Sequence, residues 1–367
     1  MTTRYGLPEP PTPTRPGQRA MAVWLFGVAA MVFAMIIIGG LTRLTDSGLS
    51  MVHWQPVTGW LPPLSEDAWH RAFDAYRQFP EYQKINAGMT LAEFQGIFWL
   101  EYIHRLWGRL IGVAFAVPLL WFLIRGRVDR RLGLGLAGLF VLGAVQGVLG
   151  WWMVTSGLVD RPDVSQYRLV VHLSMALLIY ALLLWLGLSL WPRKRMPDDE
   201  ARGRLGSAAI LGLVLVTALA GGFVAGLDAG LTYNTFPLMD GRLIPAGLFA
   251  YDPWYRSFFE DITTAQFVHR WLAVTTVAVI GVFWLTQRRS FSGRTAGRAL
   301  GLLALATTVQ AGLGIATLLL VVPVSLAALH QAGAVVLWTA ALWFAFETRR
   351  KTAAAAGASA TDGRRQP

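Results

Sequence analysis

The chain contains more long apolar segments than a soluble domain of 367 residues would need. A helix of about 20 apolar residues spans roughly 30 Å of hydrocarbon. Eight segments reach that length: residues 20–41, 97–124, 132–154, 167–191, 204–226, 263–285, 297–320 and 325–346. Strands of a membrane barrel would be shorter and would alternate in polarity, which these segments do not. The sequence therefore predicts an all-α integral membrane protein with eight transmembrane helices.

Basic residues collect in the connections on one side of the predicted bundle. These connections are 125–131, 192–204, 286–298 and 347–367, with Arg4, Arg15 and Arg19 in the N-terminal tail. The positive-inside rule places them, and both termini, in the cytoplasm. The connections that then face outward are 42–96, 155–166, 227–262 and 321–324. Residues 1–19 and 347–367 are predicted to be disordered cytoplasmic tails, and 192–203 a cytoplasmic linker.

Composition excludes several functional classes. The formal net charge is +11, but Lys and Arg fall in short blocks between apolar segments, so no nucleic-acid-binding face is predicted. The chain contains no cysteine, which excludes disulfides, thiolate nucleophiles and iron–sulfur clusters. Any metal must be held by histidine or carboxylate.

Two halves of the chain repeat one pattern. A shift of 182 residues places Gly39-Gly40 on Gly221-Gly222 and Asp46 on Asp228, and shifts of 165, 164 and 158 align His104 with His269, Gln146 with Gln310, and His172 with His330. Pairs that recur in the same order indicate an internal parallel repeat. We predict two pseudo-symmetric four-helix bundles, residues 20–191 and 204–346.

Four histidines lie at a matched depth near the outer end of four predicted helices: His104, His172, His269 and His330. Two histidines on facing helices can coordinate both sides of a haem iron, with the ring in the slot between them. The pairs 104 with 172 and 269 with 330 therefore predict two haem sites near the outer face.

Two other interpretations of these histidines remain open. They could join helices by hydrogen bonds. Glu101-x-x-His104 is also one signature of a di-iron carboxylate site, although Glu101 is the one carboxylate available inside the predicted helices. His53 and His70 have no counterpart in the repeat and are predicted to lie at the surface.

Polar neighbours distinguish the two halves. Glu101 shares a helix face with His104, whereas the aligned residue beside His269 is the neutral Gln266. Arg43, Arg105 and Arg270 lie at outer helix ends, where arginine either reaches lipid phosphates or pairs with haem propionates. Gln146 and Gln310 are predicted to form interhelical hydrogen bonds.

Specific motifs resemble the haem A synthase family. In the first half they are residues 39–50 (GGLTRLTDSGLS), 54–56 (WQP), 61–63 (LPP) and 101–105 (EYIHR); in the second half, 228–231 (DAGL), 234–239 (NTFPLM), Gln266-x-x-His269-Arg270 and His330-Gln331. The resemblance covers residues 20 to 346. It is closest to the members that lack cysteine.

The resemblance implies a membrane oxidoreductase of the bacterial inner membrane that converts haem O to haem A by successive hydroxylations of a ring methyl. It implies a haem b held by His269 and His330 as an electron relay, and the substrate haem between His104 and His172. Glu101 is then our hypothesis for the catalytic acid or base beside the substrate.

Partners follow from the same resemblance: haem O synthase as substrate donor, cytochrome oxidase assembly machinery as acceptor of the product, and an electron donor that the sequence does not identify. The oligomeric state stays open, a homo-oligomer included. The alternative function is a di-haem b-type electron-transfer subunit that reacts with quinone. A transporter fits poorly, since the histidines lie near one face, and haem O synthase lacks support because no Asp-rich motif is present.

Overall fold

The computed structural model describes residues 17–56, 58–192 and 203–349. Residues 1–16 of the tail predicted for 1–19, residues 350–367 of the tail predicted for 347–367, and most of the linker 192–203 lie outside these residues. Within them the chain forms eleven α-helices and no β-strand: α1 Gln18–Leu44, α2 Glu66–Tyr76, α3 Pro80–Lys84, α4 Leu91–Ile124, α5 Arg130–Thr155, α6 Gln166–Leu190, α7 Arg204–Gly226, α8 Ser257–Glu260, α9 Ile262–Gln287, α10 Thr295–Leu319 and α11 Val324–Thr348.

Eight of these helices are long and apolar enough to cross a membrane: α1, α4, α5, α6, α7, α9, α10 and α11. This confirms the predicted fold class. Most ends lie within three residues of the predicted ones, but α4 begins at Leu91 instead of 97. Thr90 and Glu93 form a capping box there, in which the Thr90 hydroxyl accepts from the Glu93 amide and the Glu93 carboxylate accepts from the Thr90 amide. At 1.5 Å per residue, α4 is about 51 Å long and extends past the hydrocarbon.

The same helix pairs pack in both halves. In the first half α1 contacts α4 and α6, and α5 contacts α6; in the second, α7 contacts α9 and α11, and α10 contacts α11. Across the halves, α1 packs on α11 and α6 on α7. The first and fourth helices of each half therefore form the centre of the molecule, where Leu25, Leu183, Ile210 and Phe344 are fully buried.

The connection between α1 and α4 contains a small aromatic core of its own. It packs α2 and α3 against the first turns of α4 through Val52, Phe73, Tyr76, Phe94, Phe98 and Tyr102. Ser65 caps α2, since its hydroxyl accepts from the Ala68 amide. We refer to residues 65–86 as the outer cap. The sequence did not predict its helices, because the segment is short and mixed in polarity.

A buried carboxyl group lies inside the outer cap. Glu81 is only 3% exposed, and its Oε2 has no hydrogen-bond partner among the described residues. Burial raises the pKa of Glu81 to about 8, with a smaller contribution from Glu101, while the Tyr76 hydroxyl acts in the opposite direction. The outer cap therefore holds a carboxylic acid that stays protonated at neutral pH.

We expect Glu81 to make the stability of the outer cap depend on pH. Between pH 4.5 and about 8 the unfolded cap ionises Glu81 while the folded cap keeps it protonated, so folding should weaken as pH rises through that window. Glu81→Gln should remove this dependence, which over the whole window amounts to at most about 5 kcal/mol at about 1.4 kcal/mol per pH unit. Hydrogen exchange of α2 and α3 amides at pH 5, 6.5 and 8 measures it. The exposed Glu66→Gln is the control; a parent cap equally protected at all three pH values, after correction for intrinsic exchange, would contradict the expectation.

Candidate functional site

Each of the four membrane histidines lies against a glycine of a neighbouring helix. A Cβ added to these glycines would come within 3.0 Å of the facing ring or closer: Gly39 with His104 (3.0 Å), Gly150 with His172 (2.9 Å), Gly221 with His269 (2.9 Å) and Gly314 with His330 (2.8 Å). Any side chain there would displace the imidazole, so glycine is what lets the ring fit. We call these contacts the four glycine–histidine contacts.

The glycine–histidine contacts occupy matching positions in the two halves. Gly39 and Gly221 are related by the same 182-residue shift that aligns the repeat motifs, and Gly150 and Gly314 by the 164-residue shift that aligns the glutamines. In each half the first helix faces the second-helix histidine, and the third helix faces the fourth-helix histidine. The sequence showed the first glycine pair as a motif; the second pair was missed, although the same alignment would have revealed it.

The histidines of each predicted pair lie near one another. His172 is within electrostatic range of His104, and His269 within range of His330. All four rings are only half-buried although they lie inside the bundle. The structure thus brings together the residues that the sequence paired.

Hydrogen bonds orient the second-half histidines. Nδ1 of His269 lies 3.1 Å from the carbonyl oxygen of Thr217, and Nδ1 of His330 lies 3.1 Å from Nε2 of Gln310. Among the described residues, the Nε2 atoms of both rings take no part in a hydrogen bond. A ring that donates from Nδ1 presents Nε2 as a metal ligand, as His269 can toward the Thr217 carbonyl. The Gln310 amide nitrogen is a donor, so Nδ1 of His330 accepts from it; ligation through Nε2 requires the amide to turn so that its unpartnered Oε1 accepts from Nδ1.

The first-half histidines are held less firmly. His172 contacts Gln146 at 3.3 Å through Nε2, and its buried Nδ1 has no partner among the described residues. A 180° rotation of this ring would reproduce the His330–Gln310 arrangement. No hydrogen bond to the ring of His104 occurs within the described part of the chain. The two sites therefore differ in how tightly their ligands are fixed.

Both glutamines join helices, as predicted. Nε2 of Gln146 donates to the carbonyl oxygen of His172, and Nε2 of Gln310 to that of His330. His53 and His70 are exposed, which confirms the prediction that they lie at the surface.

Both carboxylate oxygens of Glu101 accept hydrogen bonds from other residues of the chain. One carboxylate oxygen accepts from the Ser50 hydroxyl and the Met51 amide, both at 2.7 Å, and the other accepts from Arg105 at 2.5 and 3.0 Å. The carboxylate is buried. It therefore attaches the turn after α1 to α4 and fixes the guanidinium one helical turn away.

Gln266 contacts the corresponding turn of the second half with opposite polarity. Its Nε2 donates to the carbonyl oxygen of Thr232, which the repeat aligns with Ser50. Glu101 thus accepts from a turn whose groups donate, and Gln266 donates to a turn whose group accepts. The hydrogen-bond polarity of the two turns therefore explains why one half has an acid and the other an amide, whether or not either side chain takes part in a reaction.

Arg105 follows His104 in α4, and Arg270 follows His269 in α9. Both arginines hold the adjacent loops by hydrogen bonds. Arg105 donates to the carbonyl oxygens of Met51 and His53, and Arg270 to those of Tyr233, Thr235, Pro237 and Leu238. Close by, the Trp54 ring stacks on Trp151 with centroids 5.8 Å apart. The connection after α1 is thereby held over the outer end of the first-half site.

Arg43 joins the two halves. Its guanidinium donates to Asp46 at 2.9 Å, to Asp228 at 2.8 and 2.9 Å, and to the carbonyl oxygen of Ala225. Asp46 and Asp228 are aligned in the repeat and share a left-handed backbone conformation, with φ of 48° and 51°. One side chain therefore closes both of the turns that follow the first helix of each half.

The donor set fits haem and does not fit a carboxylate-bridged metal pair. Among the described residues no group of three or more His, Cys, Asp or Glu could hold a metal ion. Two imidazoles within electrostatic range of each other, each packed against a glycine of a neighbouring helix, are suited to a planar macrocycle iron. The di-iron alternative is thus disfavoured by the residues themselves.

Comparison with known proteins gives one family. The COX15-CtaA family, described as cytochrome oxidase assembly protein, matches residues 22–342. Three relatives named haem A synthase are those of Nitrosospira multiformis (54% identical; 91% of this chain, 95% of the relative), Paramagnetospirillum magneticum (52%; 91% and 95%) and Nitrosomonas eutropha (51%; 88% and 92%).

Loss of the Arg43 contacts should loosen the two halves. Arg43→Gln removes two ion pairs from a side chain that is 19% exposed, and we expect it to lower the free energy of unfolding by about 1–2 kcal/mol. Thermal unfolding in detergent measures the change. Arg71→Gln, at an exposed arginine of α2, should cost less than about 0.5 kcal/mol. Equal losses in the two variants would contradict the assigned role of Arg43.

Proposed function

This chain belongs to the COX15-CtaA family of cytochrome oxidase assembly proteins, and on that premise we propose that it is a haem A synthase. The reaction is the oxidation of haem O to haem A, in which a ring methyl becomes a formyl group through successive hydroxylations. The observation that carries the proposal is the duplicated set of glycine–histidine contacts, present in a chain 54% identical to a haem A synthase over nearly its whole length.

We assign the resident haem b to His269 and His330. Thr217 orients His269 through Nδ1 and leaves its Nε2 for iron. Gln310 contacts Nδ1 of His330, and turning its amide so that the unpartnered Oε1 accepts from Nδ1 would leave Nε2 of this ring for iron as well. Two fixed ligands suit a group that stays in place and passes electrons, which is the chemistry that haem b supplies when bound.

We assign the substrate haem to His104 and His172. His104 has no hydrogen bond to orient its ring within the described residues, and His172 retains an unpartnered Nδ1. A group that must enter, react and leave is better served by ligands that can move than by fixed ones. The difference in ligand support between the halves is therefore what favours this division of roles.

Glu101 belongs to the substrate half, where it holds Arg105 and the turn at Ser50–Met51. Because both of its oxygens are occupied, proton transfer by Glu101 requires release of one of these bonds. We propose that it acts on the substrate only when the turn opens, and that it keeps the site closed otherwise.

Two of the three outer arginines retain a donor for a haem propionate. The Nε atoms of Arg43 and Arg270 are buried and have no partner among the described residues. Arg105 uses Nε, Nη1 and Nη2 on Glu101 and the loop. We propose propionate contacts for Arg43 and Arg270, and a closing role for Arg105.

The cellular setting follows from the charge pattern and the family. We propose that the protein crosses a bacterial inner membrane with both termini in the cytoplasm and the histidines near the outer face. Haem O synthase would supply the substrate, and cytochrome oxidase assembly would receive the product.

Haem extraction tests the function and the assignment of the halves. Protein produced together with haem O synthase should contain haem B with haem O and haem A. His269→Ala should lose haem B, while His104→Ala should keep haem B and form no haem A. The exposed His53→Ala should match the parent. Haem B alone, in an amount that fills both sites, would contradict the proposal and favour the di-haem electron-transfer alternative.

Glu101→Gln should stop conversion without releasing haem b. The amide cannot accept from Ser50, Met51 and Arg105 together, so the ion pair and one loop contact are lost. We expect haem A formation to fall about 100-fold or more, within the range of a general acid or base, with the haem B content unchanged. The exposed Glu66→Gln is the control and should leave conversion intact. Normal haem A formation in Glu101→Gln would exclude Glu101 from the reaction.

A further inference from the structure

An arginine-lined cavity lies at the end of the bundle opposite the four histidines. It has a volume of about 420 Å³ and lies between the end of α9 and the start of α10, where Arg288, Arg294 and Arg298 line it together with Phe291, Ser292 and Gly293. None of the described lining residues is acidic. The cavity therefore offers concentrated positive charge to an anion.

The start of α10 adds to this positive potential. Its N-cap residue is the basic Arg294, which makes no side-chain capping hydrogen bond, whereas Ser, Thr, Asp or Asn is the usual N-cap. The corresponding helix of the first half is different: Asp129 caps α5 by accepting from the Leu132 amide at 2.9 Å. Only the second half thus combines arginines with a basic N-cap.

An apolar groove continues from this cavity along the same two helices. It has a volume of about 350 Å³ and is lined by Val277, Ile280, Gly281 and Trp284 of α9 and by Ala304, Leu305, Thr307 and Thr308 of α10. Trp284 of the groove lies next to Arg288 of the cavity, because the Arg288 guanidinium stacks on the Trp284 ring at 4.8 Å. The hydroxyls of Thr307 and Thr308 donate to carbonyl oxygens of their own helix, which leaves the groove apolar.

The groove has the depth of one membrane leaflet. Val277 to Arg288 spans eleven residues, or about 16 Å at 1.5 Å per residue, and half of the hydrocarbon core is about 15 Å. A ligand that fills both spaces needs an anionic head at the membrane surface and an apolar chain about one leaflet long. Quinones and other neutral isoprenoids supply the chain without the charge.

From this combination we propose that α9 and α10 bind one anionic phospholipid, with its phosphate among Arg288, Arg294 and Arg298 and an acyl chain in the groove below Trp284. The site lies on the haem b half but at the opposite end of the bundle from its histidines. It is independent of the proposed enzymatic function, because it would bind lipid whatever the histidines hold.

Native mass spectrometry of the full-length protein in detergent tests the head-group site. Dioleoyl phosphatidylglycerol and dioleoyl phosphatidylcholine are titrated separately. We expect one phosphatidylglycerol to bind selectively, and Arg288→Gln and Arg298→Gln each to weaken it about fivefold. Arg125→Gln is the matched control, since Arg125 stacks on Trp121 at the equivalent end of the first half. Equal binding of the two lipids, or an equal loss in the control, would overturn the proposal.

A second pair of variants tests the groove. Gly281 lines it and has open space around an added Cβ, so Gly281→Leu should fill the groove without strain and reduce phosphatidylglycerol binding. Gly143→Leu, also in open space but on α5 of the first half, should not. Inorganic phosphate at equal concentration should not displace the lipid. Displacement by phosphate, or unchanged binding in Gly281→Leu, would indicate a simple anion site; displacement by a ubiquinone would indicate a quinone site. Each of these results overturns the phospholipid assignment.

Discussion

The close approach of four histidine rings to glycines of neighbouring helices is the contact on which the proposed sites depend. In a bilayer, helices gain little from burying apolar surface against each other, and packing against small residues brings them together. Here the space left by each glycine is filled by an imidazole of the neighbouring helix. Each glycine therefore helps to set both the distance between two helices and the position of the histidine ring that packs against it. The glutamines and outer arginines then fix parts of the structure that this packing has already placed.

The two halves share a scaffold and differ in how it is bonded. His269 is oriented by a backbone carbonyl and His104 is not, while Glu101 and Gln266 contact equivalent turns with reversed hydrogen-bond polarity. These differences are small compared with the common packing. In the function that we propose, they distinguish a histidine pair that retains its haem from one that releases it, and the Glu101 carboxylate keeps the turn closed by accepting from Ser50 and Met51.

The sequence predicted the features that follow from hydropathy and from the internal repeat. The eight membrane helices follow from apolar length, and the histidine pairs from alignment of the halves. The helices of the outer cap were not found, because Phe73, Tyr76 and Phe94 meet only after the chain folds back on α4. The engagement of Glu101 was also hidden, since its partners Ser50 and Met51 are about fifty residues away. The repeat could have indicated it, because Ser50 and Thr232 align.

Arg43 makes the two halves unequal partners. The position that aligns with it is Ala225, and the guanidinium reaches across to the Ala225 carbonyl and to Asp228. Asp46 therefore pairs with an arginine of its own half, whereas Asp228 pairs with an arginine of the other half. The turn after the first helix of the second half is thus closed by a residue that the second half does not contain, so the two halves are not interchangeable units.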